Sequence, residues 1–324
     1  MTTREPRPVA LLLPGQGAQH PGMAVELYDR EEVFTAAMDE FFAFLPDGGA
    51  VRSDWLTDSP RVSLDDATRA QPLLFAIGYA LGRAVAAQGI HTSVLLGHSV
   101  GELAAAALAG VFGLADAAAL MSARTEVMAH TPAGGMLAVA ATPEEVLPHL
   151  CAHGNGLGVA ARNAPKQTVV SGTEPSLSTV DLAMSRDGLF SRRVPAVQAF
   201  HCPAVASAAR AWEVAFARVP LCPPSVPIVS TRTARRISDG EARSPEFWAG
   251  QLATTVLFWP ALDALLAGGR FTLVEAGPGG TLSVLARRHP AVRRGDSEVV
   301  PLLPSRPEGS WKSWDAALSR LSGP

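Results

Sequence analysis

The 324-residue chain is poor in cysteine, poor in lysine and nearly without net charge. Its three cysteines, Cys151, Cys202 and Cys222, form no CxxC or Cys/His spacing, which argues against a disulfide framework or a zinc site. A reducing, cytoplasmic setting is therefore expected. The formal charge of −3 gives no overall basic field, so nucleic acid is not expected as a partner. No apolar run approaches the roughly 18–20 residues of a membrane span. The opening Met1-Thr-Thr-Arg-Glu-Pro-Arg-Pro lacks the apolar core of a secretory leader. No metal-ligand cluster or nucleotide-binding loop is evident, so no resident metal or cofactor is expected. Of the 27 basic residues only Lys166 and Lys312 are lysine. Codon bias accounts for most of that excess of arginine. Arginine nonetheless keeps its charge and grips carboxylates bidentately.

What is present is a chain with 48% hydrophobic residues, enough for one or two domains with a large core. Strands are expected at 10–13 and 93–96, with helices over 72–87, 102–108 and 115–128. From residue 133 the pattern changes to strand 136–140, helix 143–153, strands 157–161 and 168–171, helix 176–186 and strand 190–194. Thr142 and Glu145 form a capping box before the first of these helices. The order β-α-β-β-α-β is that of a ferredoxin-like unit. Larger elements then return: helices 203–217, 245–253, 260–266, 281–288 and 311–321, with strands 226–230, 271–275 and 299–303. The expected architecture is α/β. Residues 1–132 and 198–324 form a large α/β-hydrolase-like domain, and residues 133–197 an inserted ferredoxin-like small domain.

Gly97-His98-Ser99-Val100-Gly101 is a G-x-S-x-G sequence between a strand and a helix, the setting of a nucleophile elbow. The helix N-terminus favours a developing anion there. A serine N-cap on an ordinary turn is the plainer reading. A nucleophilic serine needs a base, and His201 stands where the insert rejoins the large domain, although a solvent-facing histidine at a helix start fits as well. His98 is expected to point away from Ser99. The remaining histidines read as surface or packing residues. Glu102 suits the first turn of the elbow helix through the helix dipole. Arg124, taken alone, reads as a surface arginine of its helix.

Together with Pro14-Gly15-Gln16-Gly17-Ala18-Gln19, Ala199-Phe200-His201, the Asn163–Gly172 segment and Gly277-Pro278-Gly279, the elbow resembles the malonyl-CoA:acyl-carrier-protein transacylases and the acyltransferase domains of polyketide synthases. The matches run in order from about residue 9 to 303. The resemblance implies that Ser99 becomes acylated, with His201 as base, and that the backbone carbonyl of Gln251 orients the histidine. It implies an oxyanion hole from the main-chain N–H groups of Gln16 and Val100. Arg124 would clamp the free carboxylate of a malonyl-type group, Phe200 would crowd a branched α-carbon, and Asn163 would lie near the mouth of the site. The donor would be malonyl-CoA or a related acyl-CoA. The acceptor would be the phosphopantetheine thiol of an acyl carrier protein, in polyketide or fatty-acid biosynthesis. A free-standing monomer is expected. An acyl hydrolase clearing carrier-bound chains and a non-catalytic docking module are the alternatives. Two departures from the family pattern stand out: Gln198 where a histidine precedes Ala-Phe-His, and Thr254-Thr255-Val256-Leu257-Phe258 where an Asn-Pro-Val-Arg-aromatic run is usual. Cys202 reads as a packing residue. Arg192, Arg193, Arg287 and Arg288 are further cations for an acidic carrier, or simply scattered surface residues.

Overall fold

A computed structural model describes residues 7–154, 156–306 and 308–322. Two sheets organise it. The larger contains β1 (Val9–Leu13), β2 (Thr92–Gly97), β7 (Ile228–Ser230), β8 (Arg235–Arg236), β9 (Thr272–Glu275) and β10 (Glu298–Pro301), in the order β10-β9-β1-β2-β7-β8. All neighbours are parallel except the β7–β8 pair. The central strands β1 and β2 carry continuous apolar runs, as strands covered by helices on both faces must: Ala10 to Leu13 and Val94 to Leu96 are all buried. The smaller sheet contains β3 (Gly134–Val139), β4 (Leu157–Ala164), β5 (Gln167–Thr173) and β6 (Ser191–Arg193), all antiparallel, in the order β4-β5-β3-β6. With helices Pro143–His153 and Ser176–Arg186 it is the ferredoxin-like unit. Thr142 and Glu145 make both bonds of the capping box.

Alternation along the small sheet decides its placement. Leu137, Val139 and Val170 face its two helices and form a separate apolar cluster. Met136, Ala138, Ala161, Asn163, Gln167, Val169, Arg192 and Val194 face the large domain and line the cleft between them. One outer edge is not free. Val256 bonds β4 through Val256 N–H to Ala160 O (2.8 Å) and Arg162 N–H to Val256 O (2.8 Å).

Two readings are corrected. Helices Glu32–Phe44 and Gly48–Trp55 lie in a stretch where the sequence pattern suggested no element. Helix Ala67–Ala87 is 21 residues long and apolar enough, by length and composition, to cross a membrane, contrary to expectation. Of its apolar 18-residue stretch 83% is buried inside the protein, as a core helix of the large domain. Glu102 stands in the first turn of helix Val100–Leu108, as expected, and is tied to a second element as well. Its carboxylate is buried and accepts from Thr231 N–H (3.0 Å) and Thr231 Oγ1 (2.6 Å), and burial raises its pKa.

Candidate active site

The site forms at the carboxyl ends of β1 and β2, the usual place for ligands in open parallel sheets. His98 N–H bonds Leu13 O at 2.8 Å, which carries the β1–β2 pairing one residue into the elbow. The chain then turns within Ser99, which takes φ 54° and ψ −121°, a strained conformation for a residue with a side chain. Helix Val100–Leu108 follows. The turn needs glycine for lack of room: a Cβ on Gly101 would sit 2.1 Å from Leu13 O, and one on Gly15 would sit 2.4 Å from His98 O. The Pro14–Gly17 loop is thus pressed against the elbow. A Cβ on Gly15 would also lie 3.1 Å from Ser99 Cβ, and no acceptor bonds Gln16 N–H or Val100 N–H among the described residues.

His201 also has positive φ, 61°, and its own N–H is held by Leu252 O at 2.9 Å. Its Nδ1 faces two carbonyls, Gln251 O at 2.9 Å and Thr254 O at 3.2 Å. Carbonyls only accept, so Nδ1 carries the proton and Nε2 is the free base. Ser99 Oγ donates to that Nε2 at 2.7 Å. Ser99 is 8% exposed and His201 4%, so both are sheltered; the Ser99 side chain makes no cap hydrogen bond, and His201 is not the solvent-facing residue of the plainer reading. Burial first, then the positive charge of Arg124 and coupling to the neighbouring titratable His98, pull the His201 pKa down to about 3. The imidazole is therefore neutral and able to take a proton at pH 7.

Arg124 is wholly buried, not on its helix surface. Its Nε donates to Gln71 Oε1 at 2.7 Å, and Gln71 Nε2 donates in turn to Gln16 Oε1 at 3.0 Å. The guanidinium lies 4.8 Å from the Trp212 ring centre and 5.9 Å from that of Phe200. Both terminal nitrogens, Nη1 and Nη2, are without a partner. Burial lowers the pKa to about 9, which leaves the charge in place at pH 7. A buried cation with two idle donors is costly unless an acceptor fills the place.

Asn163 Oδ1 meets His98 Nε2 at 2.9 Å, so His98 turns away from Ser99, as expected, and toward the small domain. Burial keeps His98 neutral by lowering its pKa. Phe200, Gln16, Gln71, Asn163, Ser99 and His201 line one cavity of about 210 Å³. Arg124 sits behind Gln71 and Phe200. Gln198 is half-buried, with Oε1 unpartnered. Of the scattered cations, Arg192 lines the cavity, Arg193 pairs with Glu174 (2.5 Å), and Arg288 bonds Gln167 across the mouth (2.9 Å). Cys202 is buried and donates to Ala199 O, and its thiol pKa is raised by burial. Sequence reasoning missed Gln71, the partner of His98 and the Thr254 carbonyl. Gln71 carried little signal, since it falls just before the apolar stretch from residue 72, beside Thr68 and Arg69. Geometrically the set can hand a serine proton to a neutral imidazole, receive an oxyanion on main-chain N–H groups and seat an anion on a buried arginine.

Comparison with known proteins agrees. An acyl transferase domain model matches residues 11–306. A phenolphthiocerol/phthiocerol polyketide synthase protein from Mycobacterium tuberculosis is 36% identical over 283 residues, covering 87% of this chain. The chain spans 19% of that protein's length, about a fifth. The crystal structure of an acyltransferase domain from the second module of the salinomycin polyketide synthase superposes with a TM-score of 0.86 and 34% identity, covering 98% of this chain and 73% of that one. A malonyl CoA-acyl carrier protein transacylase from Burkholderia pseudomallei gives a TM-score of 0.78 and 27% identity, covering 89% of this chain and 98% of that one.

Proposed function

Since the chain belongs to the acyl transferase domain family, we propose that it moves a malonyl-type acyl group from coenzyme A to the phosphopantetheine thiol of an acyl carrier protein, through an acyl-serine at Ser99. As Ser99 Oγ attacks the thioester carbonyl, its proton passes to His201 Nε2. Negative charge on the carbonyl oxygen is received by the N–H groups of Gln16 and Val100. Collapse expels the coenzyme A thiol, which takes the proton back from His201. The carrier thiol then loses its proton to His201 and attacks the acyl-serine. Ser99 leaves with the proton, and the enzyme is restored. The Gln251 and Thr254 carbonyls hold the ring and stabilise the transient imidazolium. No resident cofactor takes part in these steps, and the phosphopantetheine arrives on the partner.

The observation that carries the malonyl reading is Arg124, with Nη1 and Nη2 buried, charged and unpartnered beside the dyad. A carboxylate fits that pair of donors. Phe200 lines the cavity and Arg124 lies behind it, so a carboxylate bound to Arg124 requires that ring to shift. The same ring disfavours a branched α-carbon. The three free thiols suit a reducing compartment. Intact-mass measurement after incubation with malonyl-, methylmalonyl- and acetyl-CoA tests the reading. A malonyl adduct on the wild-type chain that is absent in Ser99→Ala, and that moves to a carrier protein, is expected. Rapid hydrolysis with no transfer would replace it with the hydrolase reading, and the absence of any adduct would overturn it.

A further inference from the structure

The segment Gln251–Val256 touches the dyad on one side and the small sheet on the other. Two of its carbonyls, Gln251 O and Thr254 O, share the His201 Nδ1 proton. Its next two residues are fastened to β4: Thr255 Oγ1 donates to Val159 O at 2.6 Å, and Val256 pairs with Ala160 and Arg162 through the backbone. At this point β4 carries a bulge, with its register against β5 shifting between Val159 and Ala161. A bulge re-aims backbone groups, and here Val159 O is taken by the Thr255 hydroxyl. The Thr254 side chain is tied as well, from Oγ1 to Gly250 O at 2.7 Å. The Thr254 carbonyl therefore hangs between two threonine side-chain tethers, one to the large domain and one to the small.

We propose that Thr255 is a positioning residue for the histidine: its hydroxyl, anchored on the β4 bulge, holds the Thr254 carbonyl within reach of His201 Nδ1 and so ties the small domain to the base. The Gln251 carbonyl alone leaves the ring free to tilt away from Ser99. The second acceptor at 3.2 Å restricts that tilt and shares the positive charge when the proton arrives. Thr255 touches no reacting atom. Its effect passes entirely through one carbonyl. The charged and titratable groups that face His201 are Arg124 from helix Leu114–Ala129 and His98 from the elbow. Both lower the imidazole pKa, and the Gln251 and Thr254 carbonyls raise it. Loosening the Thr254 carbonyl therefore moves the pKa further down and weakens the base.

The inference rests on the acyl-transfer reading, but one of its tests does not. Thr255→Val keeps the shape of the side chain and removes the hydroxyl, and Thr255→Ser restores the hydroxyl. In single-turnover acylation of the full chain by malonyl-CoA, Thr255→Val is expected to slow the chemical step by about tenfold, the scale of one lost hydrogen bond. The apparent KM should stay within about twofold, the acid limb of the pH profile should move down, and Thr255→Ser should recover most of the rate. Titration of the His201 ring by NMR, which needs no substrate, should show the same downward shift. If Thr255→Val does not fold, Thr255→Ala takes its place in both measurements. A variant that only lowers the melting temperature, with rate and titration unchanged, would overturn the proposal. So would a serine variant as slow as the valine one. Failure of the wild-type chain to acylate would sink the acyl-transfer reading and leave the titration result standing.

Discussion

Replacing Arg124 by leucine separates the dyad from the acyl clamp. Leucine fills most of the volume and removes Nε, Nη1 and Nη2. If a malonyl carboxylate takes both idle Nη donors, it gains two charge-assisted hydrogen bonds, worth about 1.5–3 kcal/mol each. Truncating one partner of such a buried pair costs about 2–5 kcal/mol. At about 1.4 kcal/mol per tenfold, kcat/KM for malonyl-CoA should fall by roughly 30- to 4,000-fold. Acetyl-CoA has no carboxylate to lose, so its rate should change by less than about threefold. The fold should survive. The variant loses the stacking on Trp212 at 4.8 Å and leaves Gln71 Oε1 without its donor, but it no longer buries a cation. The first two losses cost about 1–3 kcal/mol, and relief of the desolvated charge offsets part of that. The assay is the initial rate of Ser99 acylation with each donor, read by intact mass, beside a thermal melt of the same preparation. Equal loss with both donors, in a variant that melts normally, would refute the clamp.

Three other outcomes are expected. Gln71→Leu leaves the buried Arg124 Nε without its partner, at about 1–3 kcal/mol, and frees the part-buried Gln16 Oε1. Malonyl acylation should drop roughly tenfold or more, and an unchanged rate would mean the relay does not position the arginine. Gly101→Ala puts a methyl 2.1 Å from Leu13 O, so it should destabilise by about 3 kcal/mol or more and abolish acylation, as followed by denaturant unfolding; a near-normal midpoint would contradict the packing. The pH prediction follows from the buried histidines. The folded pKa of His201, about 3, lies well below the usual value of 6.5, so in acid the unfolded chain binds the proton first. Stability is full above pH 6.5 and is lost as pH falls toward 3. His98 acts in the same direction. The melting temperature should decline between pH 6.5 and 4, and less steeply in His201→Leu. Parallel curves would show that the histidine titrates in solvent.

What could be read from the sequence was local. The elbow depends on glycines within two residues of Ser99, and the split βαβ unit shows itself through short-range alternation and a capping box. Helix Glu32–Phe44 had the spacing of Phe34, Met38 and Phe41 but no usual start signal. Its N-cap is Glu31, whose carboxylate accepts from Phe34 N–H in place of a serine or aspartate. The polar wiring was hidden for a different reason. Arg124 and Gln71 stand 53 residues apart, and His98 and Asn163 stand 65 apart. The pattern of a helix marks which face is apolar, but not which polar residue from another element it meets. Thr254 acts through its carbonyl, a group every residue has, so side-chain identity holds no trace of it. The family resemblance supplied the roles of Arg124 and Gln251. The burial of Arg124, which gives that role its force, came only from the packing of Trp212 and Phe200.

The strand pairing also sets an order of events during synthesis. β1 lies between β2, about 80 residues downstream, and β9, about 260 residues downstream. Ser99 meets its base 102 residues later, and that base meets its carbonyl holder after another 50. A chain emerging from the ribosome therefore carries an ordinary, unactivated serine until residue 201 and its carbonyl holders have followed, and its middle strand has one open edge until β9 arrives. Reactivity and the closing of the sheet come late and together. A nascent chain cut short before residue 251 is inert toward thioesters, and one cut before residue 272 exposes a hydrophobic edge to whatever strand is near.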